Sequence, residues 1–162
     1  MEHWPKLEPG EVELALSEQL LWRQMTRWIW DEDKRQPKAH AFGPVDADEH
    51  KPSFARSTPE VTAQASRDWH QRNANSASYA VWPISAADLE DTDLRAVDDS
   101  GAPVPQGEKR APGHVYLDYR GMDKPAARRN RAILLRAALR REEEPTTDIG
   151  FVPLQDREEE AS

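Results

Sequence analysis

The chain has 162 residues, 37% hydrophobic and 32% charged, with a formal net charge of −8, a length that fills one core. It contains no Cys, which excludes disulfides, thiolate zinc sites and a cysteine nucleophile and fits a cytoplasmic protein. No basic-then-apolar leader opens it and no apolar run approaches a transmembrane length, so neither a signal peptide nor a membrane partner is expected.

Residues 1–10, with Pro5, Pro9 and Gly10, read as an irregular arm. The apolar run that follows predicts a short helix or turn over about 12–19 and a strand over about 20–25. Residues 31–37 read as a charged loop, 39–44 as a short strand stopped by Gly43-Pro44, 46–51 as an acidic loop and 52–57 as a second short strand. Thr58-Pro59-Glu60 carries the capping residue, first-position proline and acid of a helix start. The predicted helix covers about 58–72 and presents Val61, Ala65 and Trp69 on one face. A strand over 79–84 contains Pro83, which places it at a sheet edge or ends it there. Ser85-Ala86-Ala87-Asp88 has the spacing of a capping box and opens a one- or two-turn helix. A short strand at 94–97 leads into a loop over 98–112, long enough to be either functional or mobile.

Residues 113–121 alternate cleanly between glycines and form the strand around which the rest is organised. Val115, Leu117 and Tyr119 fall on one face, and His114, Tyr116, Asp118 and Arg120 on the other. Asp123 caps a helix over about 124–143 with an apolar stripe through Ala127, Ile133, Leu134, Ala137 and Ala138. The expected organisation is an irregular arm (1–10), one α+β domain (11–144) and an acidic flexible tail (145–162). Its sheet is small, mixed or antiparallel, and two main helices pack on it. Six Trp supply the area for a modest core.

Several side chains are candidates for chemistry. His114 and Asp118 on one strand face suit acid–base work, and Tyr116 and Arg120 suit a polar ligand; the plainer reading is a solvent face, or a face packed under the last helix with a salt bridge or two. Arg23, at the end of an apolar run, suits bidentate grip on a phosphate or carboxylate, or packing on Trp22 or Trp28. Arg56 and Ser57, ahead of a helix start, suit an anion, or plain capping. Five His (His3, His40, His50, His70, His114) show no i, i+2 or i, i+4 pair, so no metal site is expected. Glu49-His50-Lys51 and Glu32-Asp33-Lys34 match the bare Glu-x-Lys of metal-dependent nucleases at a rate chance explains in so charged a chain. Neither a Gly-rich phosphate loop nor a serine-nucleophile elbow is present. Residues 124–141 hold seven Lys or Arg and no acid, whereas 142–162 hold eight acids and one Arg. A basic helix beside an acidic tail neutralises itself, which argues against nucleic acid.

Leu21-Trp22-Arg23-Gln24, Ala41-Phe42-x-Pro44, Asp46 and Asp48, and Ser53-x-x-Arg56-Ser57 together resemble a group of small uncharacterised bacterial proteins with no established activity. The pattern covers roughly the first half of the chain and, more loosely, the strand before the last helix. The chain is also similar to ADP-ribosyltransferase-like domains, which place an Arg on an early strand, a Ser-containing strand in the middle and an acid late. Arg23, Ser57 and Asp118 fill that order, although those enzymes usually use Glu as the late acid. That resemblance implies NAD as cofactor, with Arg23 on the dinucleotide and Asp118 as catalytic acid; no cofactor is expected otherwise. The leading expectation is a soluble bacterial accessory protein that acts through a protein partner. Trp28 and Trp30 are its expected contacts, with nucleic-acid contact through the last helix as a further alternative.

Overall fold

The computed structural model describes residues 4–45, 48–74 and 76–141. In chain order these form β1 (Val12–Glu13), β2 (Leu20–Met25), β3 (Trp30–Asp31), β4 (Gln36–Pro37), β5 (Ser53–Arg56), α1 (Ala63–Asn73), β6 (Ala80–Ser85), a 3-10 helix (Ala86–Asp91), β7 (Ala96–Asp98), β8 (His114–Leu117) and α2 (Lys124–Leu139). One six-stranded sheet runs in the order β1-β7-β8-β5-β2-β6, each neighbouring pair antiparallel. A separate hairpin pairs β3 with β4. Two main helices on such a sheet make the α+β fold that the sequence predicts.

Period-two alternation decides the two sheet faces. In β2, Leu21, Arg23 and Met25 are buried while Leu20, Trp22 and Gln24 are half-buried. Register sets Ile84 opposite Leu21, Trp82 opposite Arg23 and Val115 opposite Phe54. One face therefore gathers Leu21, Met25, Phe54, Trp82, Ile84, Val115 and Leu117 against Leu134 and Ala138 of α2. Trp82 Nε1 donates to Ala138 O at 3.0 Å and ties the end of α2 to β6. On the other face α1 packs over β2 and β6. Gln24 Nε2 donates to Ser66 Oγ at 2.9 Å, and the Arg67 guanidinium donates to Ser78 O through Nε and Nη2. Covered on both faces, β6 is buried throughout although it ends the sheet. Pro83, which has no N–H to leave unpaired, suits that edge.

Several expectations shift. Residues 12–19 hold a short strand and no helix, because Val12 and Glu13 pair with β7 and Leu14 N donates to Ala96 O. The charged loop at 31–37 contains the turn, all of β4 and Asp31 of β3 in the β3–β4 hairpin. Residues 39–44 form turns, closed by Ala41 N to Lys38 O and Gly43 N to His40 O, and the Ala41 and Gly43 carbonyls go to the Arg23 guanidinium. The first main helix starts at Ala63 with Thr62 as its cap. The Thr58 hydroxyl accepts from Val61 N at 3.0 Å, which closes a turn around Pro59 and Glu60. The second main helix ends at Leu139, and Arg141 beyond it turns to Asp88 and Ser85. The acidic tail at 145–162 and the first three residues of the arm lie outside the described residues.

Candidate functional groove

A groove of about 960 Å³ lies on the α1 side of the sheet, a size within the range of ligand sites. Its floor follows from register. Trp22 stands opposite Ala55, Ala55 opposite His114, and Ser53 opposite Tyr116, so their side chains share one face. From α1 come Ser66, Trp69 and His70; from the loop after β7 come Asp99, Val104 and Arg110; from the arm come Glu8, Pro9 and Glu11. Arg110 holds that long loop, donating to Ala102 O at 2.6 Å and Pro103 O at 3.3 Å and pairing with Asp99 at 3.5 Å. His70 Nε2 lies 2.8 Å from Ser76 O, and because a carbonyl only accepts, that nitrogen carries the proton. Burial, followed by the nearby Arg67 and Arg23, pushes its pKa down against the support of that bond.

Three polar side chains of the groove form a chain of hydrogen bonds. Asp99 Oδ1 lies 2.7 Å from His114 Nδ1, and His114 Nε2 lies 3.0 Å from Ser53 Oγ. An ionised carboxylate only accepts, so Nδ1 donates to Asp99 and Nε2 of the neutral ring accepts from the Ser53 hydroxyl. Sequence reading singled out His114 but neither Ser53 nor Asp99 as partners. Ser53 sat inside a resemblance pattern, and Asp99 inside the loop marked as functional or mobile. Only the β5–β8 register and the path of that loop join the three.

The other candidates have settled places. Arg23 is 6% exposed and lies against the Phe54 ring at 5.2 Å. It donates to Ala41 O at 3.1 Å, Ser53 O at 3.0 Å and Gly43 O at 3.3 Å, and meets Asp48 at 3.5 Å. Burial lowers its pKa, with Asp48 opposing. Asp118 is 0% exposed. It accepts from Arg120 Nε at 2.9 Å, Arg120 Nη2 at 3.0 Å, Arg95 Nε at 3.0 Å and the Arg120 backbone N–H at 3.1 Å. Burial alone would raise its pKa, but the hydrogen bonds from Arg120 and Arg95 outweigh burial and hold it low. Tyr116 donates to Glu11 Oε2 at 2.8 Å and accepts from Arg120 Nη2 at 3.2 Å; burial and then Glu11 push its pKa up. Arg56 pairs with Asp98 at 2.9 Å, and Ser57 takes part through its backbone, N–H to Leu20 O and carbonyl from Gln19. Five residues separate Ser57 from the start of α1, whose cap is Thr62.

Trp28 is 64% exposed, whereas Trp30 is 4% exposed. Trp30 packs on Trp82 with ring centroids 6.1 Å apart and donates to Glu32 at 2.9 Å, so it belongs to the core and offers no surface for a partner. The groove thus takes in Arg23, His114, Tyr116 and Trp28, and leaves Asp118, Arg120, Arg56, Ser57 and Trp30 outside its lining. Arg129 on α2 is paired with Asp93, and Arg141, just past the helix end, with Asp88. Among the described residues no group of three or more His, Asp or Glu comes together as a metal site, and no helix is long and apolar enough to cross a membrane. No family model, curated protein or solved structure matches this chain.

Proposed function

We propose that this chain is a small bacterial accessory protein of the cytoplasm that binds a segment of a protein partner along the groove, with Trp28 as the anchor. The observation that carries this reading is the exposure of Trp28, 64%, on the groove's lining. A large aromatic left in water on a fixed turn is a natural hot spot, since little ordering entropy remains to be lost on binding. The turn is fixed by Ile29 N to Thr26 O at 3.1 Å and by His40 Nε2 against Trp28 O at 3.0 Å. Val104, 43% exposed on the loop after β7, adds a second apolar contact. The expected partner segment carries large apolar side chains at the spacing of these two.

The NAD reading needs Arg23 and Asp118 to face one ligand. The Arg23 donors are engaged by carbonyls and Asp48, and Asp118 sits sealed between Arg95 and Arg120 outside the groove. No specific observation favours it.

The test is capture from the native host with tagged wild type, Trp28→Ala and Trp30→Ala. Wild type should retain one protein in stoichiometric amount, and Trp28→Ala should lose it with a thermal midpoint close to wild type. Trp30→Ala should cost about 3–5 kcal/mol of stability, as loss of a buried Trp does. Wild type emerging alone, or Trp28→Ala keeping the partner, would overturn the reading.

A further inference from the structure

We infer that Ser53, His114 and Asp99 form a nucleophilic serine site that cleaves carboxylic esters bound in the groove. The site goes beyond the partner-binding reading and does not depend on it.

Three observations carry the inference. The first is the relay itself, 2.7 Å from Asp99 to His114 and 3.0 Å from His114 to Ser53, within hydrogen-bond reach at both links. The second is access: Ser53 is exposed on the groove floor, while His114 and Asp99 show only 20% and 15% side-chain exposure. The base and its orienting acid are thereby sheltered while the nucleophile faces the open space. The third is a cation beside the nucleophile. Lys51 lies two residues before Ser53, and its ammonium sits 5.2 Å from the centre of the Tyr116 ring, the residue directly opposite Ser53 in register. Positive charge there favours the oxyanion that forms when a carbonyl is attacked. Trp22 and Trp69 supply apolar surface for an acyl chain.

The chemistry balances with water as the second reactant. Ser53 Oγ attacks the ester carbonyl carbon as its proton passes to His114 Nε2, and Asp99 accepts from Nδ1–H and stabilises the resulting imidazolium. Collapse re-forms the carbonyl and breaks the bond from the acyl carbon to the alkoxy oxygen, and the alcohol leaves with the proton from Nε2. Water, giving its proton to Nε2, then attacks the acyl carbon; the bond to Oγ breaks, the acid leaves, and Oγ recovers a proton. The chain order Ser53, Asp99, His114 is one that triads on other folds use, but the nucleophile here lies on a strand.

The test uses the full purified chain, a fluorophosphonate probe and p-nitrophenyl esters of increasing acyl length. Wild type should take up one phosphonate per chain, mapped to Ser53 by peptide mass. Ser53→Ala should abolish the adduct, and His114→Ala and Asp99→Asn should slow it by about 100-fold or more, the usual worth of a positioned base. Ester hydrolysis should fall in parallel. Ser53→Ala removes only a hydroxyl at an exposed position, so its thermal midpoint should match wild type and separate lost chemistry from lost fold. Labelling of wild type no faster than Ser53→Ala, or an adduct on another residue, would overturn the assignment. No partner is present in this assay, so its result and that of the capture experiment are read separately.

Discussion

At the residue scale, Asp118 shows how a candidate acid becomes a structural one. With four hydrogen bonds from Arg95 and Arg120 and no exposure, it is an ion-pair centre, and removing its charge strands two guanidinium groups. Asp118→Asn should cost about 3 kcal/mol at neutral pH, as breaking a buried pair does. The pH dependence follows from its lowered folded-state pKa. Stabilisation by Asp118 is complete above the unfolded value of about 3.9 and is lost as pH falls through the lower folded value. The stability gap between wild type and Asp118→Asn, measured by urea unfolding, should therefore be widest above about pH 4 and close below it.

At the element scale, the start of α1 turned on which threonine caps it. Thr58-Pro59-Glu60 carries every composition mark of a helix start, yet Thr62 has the extended capping conformation and accepts from Ala65 N at 3.1 Å. Local propensity was satisfied in a different way, since Thr58 closes the preceding turn. Thr62→Ala should destabilise the protein by about 1 kcal/mol, the usual worth of such a cap. Thr58→Ala should cost about half that, as one partly exposed hydrogen bond. Chemical unfolding of the two variants side by side checks the order. The capping box at Ser85 and the cap at Asp123 were legible in advance because each involves residues three apart, a range that sequence spacing reports directly.

At the scale of the whole molecule, the arm and the loop after β7 meet backbone to backbone and close one end of the groove. Gly10 has φ of +88°, and a Cβ there would lie 2.2 Å from Gly101 O. Gly10→Ala should force the arm away and weaken the Tyr116–Glu11 bond and the β1–β7 pairing. A loss of about 1–3 kcal/mol is expected, with hydrogen exchange accelerating at residues 8–13 and 99–102 and little change in β2 and β6. Residues on both sides of this junction line the groove, Glu8, Pro9 and Glu11 from the arm and Ala102 and Pro103 from the loop. Arg110 braces the loop from within, and the glycine pair braces it from the arm.

Sequence by itself determined the elements whose information is local. The period-two burial of 20–25, the edge strand marked by Pro83, the capped last helix and the α+β class all follow from spacing within a few residues, whereas 115–119, which alternates in sequence, is buried on both faces. Only the tertiary structure decided which candidate side chains meet. Arg23 and Asp118 look chemically available in sequence, but one is taken up by carbonyls from the 41–53 segment and the other by Arg95, 23 residues away. Ser53, Asp99 and His114 carry no local signature, because their meeting depends on β5 pairing with β8 and on a loop folding back over the sheet. Such long-range register arises from burying the opposite face of the sheet under α2, a requirement of the whole core that no short stretch of the chain records.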